Sequence, residues 1–243
     1  MSDLEMFADT LALIREADNI QALNQCMFAI RDAYGVANVA YHAVSIPGRN
    51  DTIPMLLQTY DSAWVNRYIE LGYLRSDPVV QVTRRSLLPL DWIDIERSAP
   101  GAREFFSDAD RFGVGRNGLS FPIRGVHGER ALFTVTANVA DEVWSALRLR
   151  SLRDFQTISH YIHDKVVRIF RVQPAEPARA PSPQERRCLE AFGRGHTPKQ
   201  IAAEMRLSDS AVRLYLHAAR QKLSCVTITQ AVSRALRLAI IDM

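Results

Sequence analysis

The 243-residue chain carries two groups of side chains whose spacing suits recognition of other molecules. The first is Tyr60, Trp64, Tyr68, Asp77 and Trp92. Trp64 and Tyr68 are four apart and so share one helix face. An indole N–H and two phenols can each turn a polar tip into an apolar pocket, and Asp77 adds one anionic acceptor. Such a set fits a small amphipathic ligand with an amide N–H and one or two carbonyls. The same residues would also serve as core filling, with Asp77 capping a helix. The second group is Arg213, His217 and Arg220, at helical spacing within SDSAVRLYLHAARQKL, residues 208–223. They offer donors and no carboxylate. Val212, Leu216, Ala219 and Leu223 form an apolar stripe on another face. A helix anchored on one side and cationic on another suits a DNA major groove, about 12 Å wide. A solvated amphipathic helix is the competing reading.

The elements around the basic helix favour the first reading. Ser208 is a good N-cap for it. Ahead of it, Thr197-Pro198-Lys199-Gln200 supplies an N-cap, a proline at the first helical position and a glutamine three residues on. Ile201, Ala202 and Met205 give that helix a buried side. Two short helices joined by a tight turn, the second one basic, read as helix-turn-helix. An earlier helix starts at the capping box Ser182-Pro183-Gln184-Glu185 and stops at Gly195; a last one covers 228–241.

The preceding residues predict a different architecture. Amphipathic helices are expected over 3–17 and 20–34, the second with Asp18 and Gln21 as a capping box. Strands follow at 37–45 and 53–60, joined by the turn cluster Pro47–Asp51. Helices are expected over 62–71, capped by Asp61 or Ser62, from Asp77-Pro78, and over 99–112. A second hairpin, 117–124 with 130–138, turns around Gly125, His127 and Gly128, and a long helix runs over 141–171. Helices, strands, helices, strands and a helix give an α+β chain: an N-terminal α/β/α sandwich with a mainly antiparallel sheet, followed by a C-terminal all-α four-helix domain. Four prolines within 174–183 mark a semi-extended spacer. The predicted domains are therefore 1–173 and 184–243, with 174–183 as linker.

Charge divides along the same line. From Pro174 onward there are 11 Lys/Arg against 6 Asp/Glu, and before it 19 against 21. A basic module on a slightly acidic body fits a nucleic-acid partner. No apolar run approaches ~18 residues, so no membrane helix is expected, and the acidic amphipathic start is unlike a signal peptide. Cys26, Cys188 and Cys225 are too far apart for a disulfide ladder or a metal site, which fits a reducing cytoplasm. G-x-x-x-x-G-K-[ST], G-x-S-x-G and H-E-x-x-H are all absent, so no nucleotide switch or hydrolase is expected. A phosphorylation receiver would need an acidic pair after an early strand, and this chain opens on helices. His160 and His163 share a helix face without a supporting metal-ligand cluster.

Residues 181–241 resemble the four-helix DNA-binding domain of LuxR-type regulators. The likeness is carried by Glu185, Leu189, Gly195, Thr197, Ile201, Leu207, Ser208, Val212, Leu216, Lys222, Leu223 and Gln230, among others. Ala211 replaces a usual threonine, Tyr215 a common histidine, and Ser224-Cys225-Val226 a turn that usually contains glycine. Trp64-x3-Tyr68-x8-Asp77-Pro78, Trp92 and Gly118-Leu119-Ser120-Phe121-Pro122-Ile123 are similar to the acyl-homoserine lactone-binding domain of the same family. The resemblance implies that Trp64 donates to the lactone carbonyl and that Asp77 accepts from the ligand amide. It implies that Tyr60 and Ser120 address the acyl carbonyl, with Tyr68 and Trp92 walling the head group. Tyr41, Met55, Leu57 and Val79 are weaker assignments for the acyl tail. On the DNA side, Arg213 is expected to read bases, Ser210 and His217 to read bases or touch the backbone, and Thr197, Lys199, Arg220 and Lys222 to hold phosphates. The implied protein is a cytoplasmic, homodimeric, quorum-sensing transcription factor without enzyme activity, cofactor or metal. Its signal ligand is an N-acyl-homoserine lactone, its partners are promoter DNA and RNA polymerase, and its candidate dimer surfaces are the C-terminal helix and 141–171. The alternatives are an orphan LuxR-type regulator answering another small ligand or a phosphorylation-independent signal, and a lactone-processing enzyme fused to a DNA-binding domain.

Overall fold

A computed structural model describes residues 2–46, 55–83, 85–125, 128–170 and 179–242. The predicted turn Pro47–Asp51, the hairpin residue His127 and residues 174–178 of the spacer lie outside them. The chain divides into two compact units, one built from Met1–Gly125 and Glu129–Val172, the other following Val172.

The first unit runs α1 (Asp3–Glu16), α2 (Ile20–Tyr34), β1 (Asn38–Ser45), β2 (Met55–Gln58), α3 (Ser62–Glu70), α4 (Tyr73–Ser76), α5 (Pro78–Thr83), β3 (Leu90–Asp91), α6 (Trp92–Ser98), α7 (Ala102–Arg111), β4 (Asn117–Arg124), β5 (Arg130–Ala137) and α8 (Asp141–Ile169). Local chemistry sets most boundaries. Ser2 and Glu5 form a capping box on α1. The cap of α2 is Asn19, whose side chain accepts from Ala22 N. The expected Asp18–Gln21 pair is not the cap, because Asn19 is the last extended residue before the helix. Gly35 ends α2 in the left-handed region, at φ 61°. The helix expected over 99–112 is α7, and a further helix, α6, precedes it. Pro100 disfavours helical backbone at Ala99, which is extended there, and Gly101 then restarts the chain at φ 73°.

The five strands form one antiparallel sheet in the order β2-β1-β5-β4-β3. Side chains alternate across a sheet with period two, and this alternation builds the three layers. Val39, Tyr41 and Ala43, Leu119, Phe121 and Ile123, and Ala131, Phe133 and Val135 meet Ile14, Leu23, Met27, Phe155 and Ile162 of α1, α2 and α8. The opposite parity, including Leu132, faces α3–α7 with Trp64, Val79, Trp92 and Phe105. Asp91 bonds elements of both layers: one carboxylate oxygen caps α6 through Ile93 N, and the other accepts from Trp144 Nε1 at 3.2 Å and Arg148 at 2.7 Å.

The second unit comprises α9 (Pro183–Gly193), α10 (Pro198–Met205), α11 (Asp209–Lys222) and α12 (Ile228–Arg237). The predicted caps at Ser182, Thr197 and Ser208 are formed, and Thr227 with Gln230 adds a further capping box. α12 is shorter than the expected 228–241: Ala239 turns left-handed at φ 49°, and Ile241 is buried with the core of this unit. Leu189, Ile201, Val212, Leu216 and Ala235 are central to that core. Beside it Glu185, 7% exposed, holds Ser182 N and receives Lys222 Nζ at 2.8 and 2.9 Å.

Lys222 neutralises a carboxylate that has left water, and breaking a buried pair from one side costs more than the pair contributes. With Lys222 itself 27% exposed, Lys222→Ala is expected to destabilise the second unit by about 1–3 kcal/mol. Urea denaturation of the full chain, followed by circular dichroism, checks it; an unshifted transition would show that water compensates Glu185.

Candidate functional site

A cavity of about 590 Å³ lies in the first unit, between the sheet and α3–α7. Its walls are mostly apolar and include Leu56, Val65, Ile69, Val79, Phe105 and Leu132. Five residues expected at a ligand site line it: Tyr60, Trp64, Tyr68, Asp77 and Trp92. The periodicity of α3 brings Trp64 and Tyr68 to one face, with ring centroids 5.8 Å apart in an edge-on contact. Phe105 of α7 and Tyr73 of α4 pack on the same indole at 5.9 Å. Arg67 on α3 and Tyr73 both donate to Asp108 of α7, which fixes α3 and α4 against α7.

Asp77 is 8% exposed. Its Oδ1 accepts from Val79 N at 2.7 Å and Val80 N at 3.2 Å, so it caps α5. Its Oδ2 accepts from the Tyr68 hydroxyl at 2.8 Å. The capping and pocket readings thus describe one carboxylate. Burial pushes its pKa up to about 6, against the lowering effect of those three donors. Burial and the nearby Asp77 charge also push the Tyr60 phenol well above its ordinary value. Among the described residues, neither the Trp64 indole N–H nor the Tyr60 hydroxyl makes a hydrogen bond.

Trp92 forms part of the wall through a close fit. Its indole lies flat against Gly118 of β4, where an added Cβ would stand 2.2 Å from a ring carbon. Its Nε1 donates to Ser120 Oγ at 3.0 Å, and Ser120 exchanges a bond of 2.9 Å with Thr134 Oγ1. Ser120 is fully buried and does not line the cavity; Thr134, its cross-strand partner, does. The proposed tail residues divide by sheet parity. Val79 lines the cavity, whereas Tyr41, Leu57 and Met55 belong to the α1/α2/α8 side, with Tyr41 Oη 2.7 Å from His163 Nδ1. The cavity floor is Ala40, His42, Leu132 and Thr134, which sequence reasoning missed. The available signal was the alternation itself, since 40 and 42 face opposite to 39 and 41.

In the second unit α10, the turn at Arg206–Leu207 and α11 form the helix-turn-helix, with Arg206 left-handed at φ 56°. Thr197, Lys199, Ser210, Arg213 and His217 are exposed and Arg220 is half-buried. Arg213 pairs with Asp209 at 2.8 Å across an exposed helical turn, a contact weak enough to exchange for DNA. Arg220 is committed to the Val226 carbonyl and to His217, and Lys222 to buried Glu185. The Arg220 bonds are solvent-exposed, whereas Lys222 serves a buried carboxylate. Thr197, Lys199, Ser210, Arg213 and His217 thus keep exposed positions on α10 and α11 or at their caps.

No helix of the described residues is long and apolar enough to cross a membrane, and no cluster of metal-ligating side chains occurs among them.

Residues 19–166 match the family model of the autoinducer binding domain, and residues 182–235 match that of the bacterial regulatory proteins of the luxR family. Both are recognition domains, one for a signal ligand and one for DNA, and neither is catalytic. The transcriptional activator protein RaiR of Rhizobium etli is 38% identical over 196 residues, which span 80% of this chain and 81% of RaiR. Among solved structures, Escherichia coli SdiA, also solved in complex with octanoyl-rac-glycerol, aligns over 100% of both chains with a TM-score of 0.67 and 16% identity. The N-acylhomoserine lactone dependent factor CepR2 from Burkholderia cenocepacia covers 68% of this chain and 98% of its own, with a TM-score of 0.55 and 21% identity. At such identities the structures establish the fold alone. The chain belongs to the luxR family of bacterial regulatory proteins, as a transcription regulator with an autoinducer-binding domain and a DNA-binding helix-turn-helix.

Proposed function

We propose that the autoinducer is an N-acyl-homoserine lactone, bound in the cavity between the sheet and α3–α7. The observation that carries this reading is a buried carboxylate, Asp77, sharing a mostly apolar cavity with an indole N–H and a phenol that make no hydrogen bond. A buried polar group without a partner is costly. A lactone with an amide linkage supplies the missing partners: its amide N–H donates to Asp77, Trp64 donates to the lactone carbonyl, and Tyr60 donates to the acyl carbonyl. Tyr68 keeps Asp77 in place, and Trp92 closes the head-group end. Ser120 acts through Trp92 and Thr134, so Thr134 is the hydroxyl offered to the ligand. The acyl chain extends over Leu56, Val79 and Leu132.

The sensing domain in this reading is 1–173, joined through 174–183 to the DNA-binding domain 184–243. The regulator works in the cytoplasm as a homodimer, with two α11 helices facing half-sites about one helical turn apart. Exposed Val143 and Leu149 on α8 support that helix as a dimer surface. RNA polymerase is the partner an activator would engage. Mass spectrometry of small molecules extracted from chain expressed with a panel of lactones tests the ligand class, and a mobility-shift assay with the extracted molecule gives the direction of the response. Recovery of no lactone would refute the assignment.

Three outcomes are expected. A ligand at ~100 times its dissociation constant adds about 2.7 kcal/mol to stability; Asp77→Ala is expected to abolish the accompanying rise in melting temperature. Asp77 also makes binding pH-dependent. Its folded-state pKa of about 6 lies above the ordinary carboxylate value, so its contribution to the stability of the ligand-free fold is greatest below about pH 4 and declines as pH rises through 6. An amide N–H favours the anion, so lactone affinity should weaken as pH falls below about 6 and level off above it. Calorimetric titration at pH 5 and pH 7.5 reads this directly; a ligand lacking the amide would give no such trend. Finally, Gly118→Ala must displace the Trp92 indole. It is expected to cost about 1–3 kcal/mol of stability and to weaken lactone binding at least tenfold, measured by denaturation and calorimetry of the same protein.

A further inference from the structure

The outward face of α11 is centred on a residue that its charge pattern passes over. At about 100° per residue, the buried stripe of Val212, Leu216, Ala219 and Leu223 occupies one side of the helix. Leu214 projects roughly opposite the middle of that stripe. Ser210, His217 and Gln221, all exposed, surround it, while Arg213 stands about a quarter turn to one side. Leu214 is 66% exposed. It also lies in the first half of the helix, the part that reaches base edges in helix-turn-helix proteins.

A scattered exposed leucine is ordinary on a protein surface. This one occupies the centre of the face that a major groove would receive, where a polar side chain would otherwise be hydrogen-bonding. Leucine has neither donor nor acceptor, so it cannot read the polar edges of the bases. The apolar feature of the major groove is the 5-methyl group of thymine. We propose that Leu214 is a specificity-determining residue that packs on a thymine methyl and sets a preference for thymine at one position of the bound site, with Arg213 contacting the neighbouring bases from its flank. The inference rests on α11 being the helix that enters DNA.

The test uses the full chain and duplexes it enriches from a randomised library. Each thymine of the enriched site is replaced singly by deoxyuridine, which removes only the methyl group. At one thymine the wild-type chain should bind the deoxyuridine duplex roughly fourfold more weakly, the size expected for one buried methyl. Leu214→Ala should bind both duplexes equally there, with an unchanged melting temperature and an unchanged salt slope, since no phosphate contact is lost. Identical deoxyuridine penalties in wild type and Leu214→Ala at every thymine would overturn the proposal. Leu214→Asn provides a second check: it should lose the same thymine preference and not regain it with deoxyuridine. A chain that enriches no sequence would overturn the role of α11 itself. An enriched site that depends on Arg213 and on no Leu214-sensitive thymine would overturn this inference alone.

Discussion

A carboxylate held out of water organises the first unit. Asp77 is tolerated because three donors converge on it: two backbone amides at the start of α5 and the Tyr68 phenol from α3. The short helix and the aromatic face of α3 are thereby fixed to one another through a single side chain. These donors offset the desolvation only in part, and the carboxyl pKa stays raised. A group left in that condition favours any occupant that brings another donor. The cavity is therefore a consequence of how α5 begins, as well as of the space between layers. The surrounding aromatics lower the local polarity and make each remaining hydrogen bond stronger.

The second unit is organised differently. Its helices are short, between 8 and 14 residues, and helices of that length gain most of their stability from packing. Side-chain caps at Ser182, Thr197, Ser208 and Thr227 satisfy the first backbone amides of all four. Lys222 then turns its charge inward, onto Glu185, and Arg220 bonds the exposed Val226 carbonyl. Ser224 occupies the left-handed region at φ 52°, the conformation that glycine adopts freely.

The layer order and most helix starts were legible in the sequence, because period, cap and proline signals are local. Trp64, Tyr68 and Asp77 were legible as a set for the same reason: helical spacing and a cap-proline pair place them. What local patterns could not supply was the side of the sheet. Strand β1 is buried along nearly its whole length, so its composition does not distinguish Tyr41 from His42; only pairing with β2 and β5 assigns their faces. The helix α6 was missed because its cap, Asp91, sits at the end of a two-residue strand too short to leave a pattern. Ser120 and Lys222 carried the right residue types. Their commitments, to Trp92 and Glu185, are made across 28 and 37 residues of sequence, beyond the reach of spacing arguments.

All three tryptophans of the chain belong to one neighbourhood. Trp64 and Trp92 line the cavity, and Trp144 is bonded to the carboxylate of the residue immediately before Trp92. The tryptophan emission of this protein thus originates wholly in the first unit, around the cavity and Asp91, with none from the helix-turn-helix. Nature has in effect placed an optical label there already: occupancy can be followed in unmodified protein, on DNA or off it, without attaching a dye.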